Sequence, residues 1–138
     1  MEGDLDFRGA TVLVVGGSSG IGNGIAHGFK DRGAQVHVWG TRVDPADYDP
    51  ADGSDLAGLV YAKVNVAERG EIEAHVPPFE RLDVLVLCQG TVVYKRGEFA
   101  PEGWDHVMAV NLDSLMACAA KFHDRLAAAK GSIIIVSS

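Results

Sequence analysis

The chain has 138 residues, 47% hydrophobic and 22% charged, with a net charge of −7. This balance suits one globular domain with a sizeable core and excludes a disordered chain. The negative charge argues against a nucleic-acid partner, and no apolar run approaches the roughly 18 residues that span a bilayer. The N-terminus, Met1-Glu2-Gly3-Asp4, opens without the basic and apolar regions of a signal peptide. Cys88 and Cys118 stand in apolar surroundings without metal-ligand spacing, so they read as buried, reduced thiols in a cytoplasmic protein that holds no metal.

Short apolar runs alternate with longer amphipathic stretches. Thr11–Val15 is β-branched and apolar, as in a strand buried on both faces. A glycine-rich segment, Gly16–Gly22, leads into a helix over 21–32, where Ile21, Ile25 and Phe29 share a face and Gly33 stands at the C-terminal cap. A second strand covers Gln35–Trp39. The segment 41–57 is the longest loop; Asp44, Asp47, Asp49, Asp52 and Asp55 give it the character of a solvated stretch. Leu59–Val64 is a third strand, and 68–76 a short helix ended by Pro77-Pro78. Asp83–Leu87 is the fourth strand. Pro101 begins a long helix through Ala129, with Trp104, Val107, Met108, Leu112, Leu115, Met116, Ala119 and Phe122 on one broad face. Gly131 breaks it, and Ser132–Val136 is a fifth strand. No internal repeat is read. The β-α-β-α-β-α-β order predicts an α/β domain, a doubly wound parallel sheet over residues 1–138.

The strongest chemical signal is Val15-Gly16-Gly17-Ser18-Ser19-Gly20-Ile21-Gly22, between a strand and a helix. Gly16 permits a tight turn, Gly20 lets backbone approach a pyrophosphate, and Gly22 lets the helix pack close to the sheet. The helix N-terminus offers free amides and partial positive charge to phosphates. The bland alternative is a glycine turn without a ligand.

This G-x-x-x-G-x-G spacing, with Ser18 and Ser19 inside it, resembles the signature of the classical short-chain dehydrogenase/reductase family, whose nucleotide-binding part is a Rossmann fold. The likeness continues along the chain. Leu82–Val86 resembles the family's fourth strand, although the Asn-Asn-Ala-Gly turn that follows it there reads Leu87-Cys88-Gln89-Gly90 here, and only the glycine matches. Trp104–Leu112 resembles the segment around the family's active-site asparagine, which falls on Asn111; a solvated helix asparagine is the alternative. Gly131–Ser138 resembles the fifth strand and its terminal Ser-Ser, so that Ser138 matches the catalytic serine, against the alternative of plain polar strand termination. The family's domain continues past its fifth strand, so the resemblance implies a Rossmann fold truncated after the fifth strand here, and the family's Tyr-x-x-x-Lys pair does not occur in these 138 residues.

The resemblance implies an NAD(P)-dependent oxidoreductase that, when complete, transfers hydride between the nicotinamide and a carbonyl or alcohol substrate. Asn111 and Ser138 are its catalytic residues in this chain. Gly16, Ser18, Ser19, Gly20, Ile21, Gly22, Thr41, Arg42, Asn65, Val66, Gln89 and Gly90 are its cofactor-binding residues. Gly40 stands where NAD-selective folds place an acid, and Thr41 and Arg42 follow, so NADP is favoured over NAD unless Arg42 is an ordinary surface arginine. Asn65, with Val66 beside it, is placed to bond the adenine edge. The resemblance also implies a homo-oligomer through the long helix, a C-terminal complement of the same protein, and inactivity of these residues alone. A catalytically silent dinucleotide-binding or sensing module is the alternative from another class.

Overall fold

A computed structural model describes residues 5–137; Ser138, the expected catalytic serine, lies outside the described residues. The strands are β1 (Thr11–Val15), β2 (Gln35–Gly40), β3 (Val60–Lys63), β4 (Val84–Leu87) and β5 (Ser132–Ile135). They form one parallel sheet in the order β3-β2-β1-β4-β5. The order turns back at β1: the chain builds outward to β3, then resumes on the other side of β1 with β4. That switch point opens a crevice beyond the carboxyl ends of β1, β2 and β4.

The helices are α1 (Gly20–Asp31), α2 (Arg69–Ala74), α3 (Pro101–Met108) and α4 (Ser114–Ala129), the last two joined by a turn of π-helix, Ala109–Asp113. Successive β1 side chains point to opposite faces. Val12 and Val14 pack with Val36, Val38, Val84, Val86 and Ala26 of α1. Leu13 and Val15 pack with Trp39, Leu85, Leu87, Ile72 of α2, and Val110, Cys118 and Phe122 of the long helix. Both sheet faces are therefore covered, which is why β1 is buried at every residue. Asp83 locks the sheet entrance, accepting from the Thr11 amide at 2.8 Å and pairing with Arg81 at 2.7 Å.

Four expectations need correction. The long helix does not bury one broad face. Phe122 is buried, but Trp104, Leu112 and Met116 are more than half exposed, and Val110, Ser114, Ala117 and Cys118 meet the sheet instead. The helix carries two apolar stripes, and only one can face the core. Ile21 is likewise exposed at the start of α1, while Ile25 and Phe29 pack inward. Cys118 is buried, but Cys88 is only half-buried and faces the crevice.

The acidic loop is the fourth. It contains a repeat, Asp44-Pro45-Ala46-Asp47 and Asp49-Pro50-Ala51-Asp52, each folded as a 3₁₀ turn whose first aspartate accepts from the alanine amide at 2.9 Å. The loop is also tied back onto α1. Buried Asn23 donates to the Asp55 carbonyl at 2.7 Å and to Gly17 at 3.2 Å, and a His27 ring nitrogen lies 2.7 Å from the same Asp55 oxygen. No helix among the described residues is long and apolar enough to cross a membrane.

Candidate active site

The glycine turn builds the floor of the crevice. Gly16 has φ +78°, and a Cβ on it would lie 3.0 Å from the Gln89 amide nitrogen, so the turn after β1 and the turn after β4 touch backbone to backbone. A Cβ on Gly22 would overlap the Gly16 carbonyl oxygen, which fixes the first turn of α1 against the strand end. Gly20 has φ +55° and open space where a side chain would stand. Its amide donates to the Gly53 carbonyl of the acidic loop at 3.1 Å. Ser19 caps α1 through its backbone, with its hydroxyl free of any capping bond.

Above this floor lies a cleft of about 510 Å³. It brings together Gly16, Ser18, Ser19, Ile21 and Gly22 from the first turn, Thr41 after β2, Asn65 and Val66 after β3, and Gln89 and Gly90 after β4. Gly16 and Gly90, 74 positions apart in the chain, thus share one wall because every parallel strand ends on the same side. Asn65 is partly engaged: its Oδ1 accepts from the Ala67 amide at 3.1 Å, and its Nδ2 has no hydrogen-bond partner among the described residues.

Two expected cofactor residues do not line the cleft. Gly20 stands at its rim, and Arg42 lies outside, stacked 4.9 Å over the Tyr48 ring and donating to the Asp47 carbonyl. Tyr48 was not legible as part of this region. Its hydroxyl fills the space a Gly40 side chain would need, alongside Ser18 Oγ, which would lie 2.5 Å from such a Cβ. It accepts from the Arg42 amide at 3.2 Å and meets the Tyr61 hydroxyl at 3.2 Å. Burial pushes the Tyr48 phenol up, but bonds from Ser18, Tyr61 and the 41–42 backbone outweigh it and hold the group below the usual phenol range. Tyr61, the partner that gives its proton to the Arg42 carbonyl, is pushed up by burial.

Asn111 sits in the π turn and bonds the backbone of Thr91, a cleft residue, rather than lining the cleft itself. Gln89 reaches the same helix from the other side, donating to Ser114 Oγ at 3.0 Å. His106 and Trp39 also line the cleft; neither stood out in the sequence, where each reads as a routine helix or strand residue.

The short chain dehydrogenase family model matches residues 10–138. A 3-oxoacyl-(acyl-carrier-protein) reductase of Chlamydia pneumoniae is 31% identical over 98% of this chain and 57% of its own length. A D-threitol dehydrogenase of Mycolicibacterium smegmatis is 29% identical, over 98% of this chain and 55% of its own. Among solved structures, a metagenomic short-chain oxidoreductase in complex with NADP superposes with a TM-score of 0.79 at 27% identity, covering 96% of this chain and 63% of that one. The chain thus spans between half and two thirds of the length of each.

Proposed function

Because the chain belongs to the short-chain dehydrogenase family, we propose that its cleft binds NADP or NAD and that the whole protein is an oxidoreductase acting on a small carbonyl or alcohol. The observation that carries this is the convergence of four strand ends on one cleft floored by glycines. The residues fit the group: the open space at Gly20 and the α1 N-terminus leave room and amides for a pyrophosphate, and the Gly16–Gln89 contact sets the depth of the floor. The metagenomic relative, solved in complex with NADP, supports the same use of the site.

When bound, the nicotinamide supplies or accepts the hydride. This chain's residues hold and orient. Ser19, Ile21 and Gly22 present the helix N-terminus to the phosphates, Thr41 and Asn65 flank the adenosine end, and Gln89 and Gly90 flank the other. Asn111 and Ser138 are proposed as the catalytic contributions of this part, Ser138 by donating a hydrogen bond to the substrate oxygen as charge develops there. NADP is the proposed preference, because Thr41-Arg42 follows Gly40 and no acid stands at the end of β2. The exposed stripe of Trp104, Leu112 and Met116 supports a homo-oligomer through the long helix, and a cytoplasmic setting is proposed with it.

Calorimetric titration of the full-length protein with NADPH and NADH tests the assignment. The wild type should bind, and Gly20→Val should abolish binding by filling the open rim while forcing a β-branched residue to positive φ. Unchanged affinity in a folded Gly20→Val variant would sink it.

A further inference from the structure

The turn after β4 and the π turn are bonded to each other at two places. In a regular α-helix the Ser114 amide would bond the Val110 carbonyl; here it reaches Ala109, five residues back, which leaves the Val110 oxygen without its ordinary partner. Ser114, 2% exposed, supplies the missing donor from its own side chain, with Oγ 2.5 Å from that oxygen. A hydroxyl has one proton. Having given it to Val110, Ser114 can only accept from its other neighbour, and the neighbour is the Gln89 carboxamide at 3.0 Å. The Gln89 amide orientation is therefore fixed, with Nε2 toward the helix and Oε1 enclosed without a partner among the described residues. Two residues beyond Gln89, Thr91 is bonded at both its amide and its carbonyl by Asn111 of the π turn.

We propose that Gln89 and Ser114 are positioning residues that couple the cofactor cleft to the π turn, so that occupancy of the cleft fixes the register of Asn111. This rests on the dinucleotide reading of the cleft. Gln89 is the natural transmitter: its backbone amide lies against Gly16 in the cleft floor, and its side chain ends on Ser114. A shift of that turn on ligand binding moves the donor that holds Ser114. Ser114 in turn holds the carbonyl that the π turn exposes.

Hydrogen exchange read by mass spectrometry on the full-length protein tests this, with NADPH as the probe. NADPH should slow exchange over residues 109–114 by about tenfold in the wild type, as local opening becomes rarer. Gln89→Ala, Ser114→Ala and the isosteric Gln89→Glu, which cannot donate when ionised, should each reduce that slowing to less than about threefold. Calorimetric NADPH affinity of Ser114→Ala, which lies outside the cleft lining, should stay within about threefold, and the double variant should match either single one in exchange, as members of one chain of bonds do. Melting temperatures confirm that the variants are folded. Wild-type slowing in Gln89→Glu, or additive losses in the double variant, would overturn the coupling. A tenfold loss of affinity in Ser114→Ala, or wild-type slowing in that variant, would likewise overturn its positioning role. A wild type that binds neither NADPH nor NADH fails at the calorimetric step, and that outcome refutes the dinucleotide reading itself.

Discussion

Asn111 grips Thr91 at both backbone groups: Oδ1 accepts the Thr91 amide at 2.8 Å and Nδ2 donates to its carbonyl at 2.9 Å. Only a carboxamide offers donor and acceptor side by side. Asn111→Asp should keep the first bond and lose the second; Asn111→Ala should lose both. Because the pair is solvent-accessible, the stability loss should be modest, about 1 kcal/mol for the alanine and less for the aspartate. Urea unfolding measures it. Turnover of the full-length protein should fall much further than that loss explains, since the π turn places Asn111 beside the cleft.

Two glycines on α1 should respond in opposite directions. Gly22→Ala drives a Cβ into the Gly16 carbonyl, which is backbone and cannot swing aside, and should destabilise by about 1–3 kcal/mol. Gly24 lies on the exposed side of the same helix with nothing within 4 Å of an added Cβ. Gly24→Ala should stabilise by about 0.5–1 kcal/mol through helix propensity. Thermal melts of the pair separate the two effects; equal shifts would mean that Gly22 has no packing role.

These glycines also show what the sequence could and could not reveal. The spacing of Gly16, Gly20 and Gly22 announces a tight turn between a strand and a helix, and the structure has that turn and sets all five strands within two residues of their expected bounds. Burial on the long helix was not legible. Apolar residues lie on two of its sides, and the inserted π residue at 109–113 changes which side meets the sheet. Contacts that depend on a loop folding back were hidden for the same kind of reason. Nothing near Gly40 in sequence says that Tyr48 will occupy its side-chain space. A glutamine in an otherwise apolar turn was the one visible hint of the Gln89–Ser114 bond.

Cofactor selectivity should follow Arg42 and Tyr48 together. Arg42 rests outside the cleft on Tyr48 and must turn from that ring to meet a 2′-phosphate; on the proposed NADP reading, Arg42→Ala in the full-length protein should weaken NADP more than NAD by roughly 1–3 kcal/mol. Tyr48→Phe keeps the ring under Arg42 but removes the hydroxyl that accepts from the Arg42 amide, and should lower NADP affinity by a smaller factor. Paired calorimetric titrations with both cofactors decide it. Equal losses for NADP and NAD would reduce Arg42 to a surface residue. Gly40→Asp should not convert the site to NAD, because Tyr48 and Ser18 already fill the space that side chain needs.

Acid should destabilise the fold through His37. This residue on β2 is 4% exposed, packs edge-on against Phe79 at 4.7 Å, and has Nε2 without a partner among the described residues. Burial holds its imidazole below the ordinary histidine range. Below pH about 6.5 the unfolded chain takes up a proton that the folded His37 resists, so stability is full above that pH and falls as pH falls toward the native value. His75, also lowered by burial and by nearby Lys121, acts in the same direction. Denaturant midpoints between pH 8 and pH 5 should decline less in His37→Phe than in the wild type. Parallel declines would assign the acid sensitivity elsewhere.

The most exposed edge of the sheet lies at β5. Among the described residues, strand order puts β5 at the sheet rim, bonded to β4 on one side only. Its three isoleucines, Ile133, Ile134 and Ile135, are 45%, 43% and 55% exposed. A β-branched apolar strand with one edge of unpaired amides and carbonyls is a template for another strand. Prepared by themselves, these 138 residues should therefore self-associate, and Ile134→Lys, which charges that rim, should reduce the association. They should also lack reductase activity. Acid–base help of the kind a Tyr-x-x-x-Lys pair gives is typically worth about 10²–10⁴ in rate, and no such pair occurs among them. Light scattering after size exclusion reads the first effect. NADPH oxidation with a panel of small ketones reads the second, beside the full-length protein as control. A monomeric fragment whose solubility Ile134→Lys leaves unchanged would show that β5 is not an open edge in solution; a fragment that oxidises NADPH with a ketone would place the acid–base group among the residues already described.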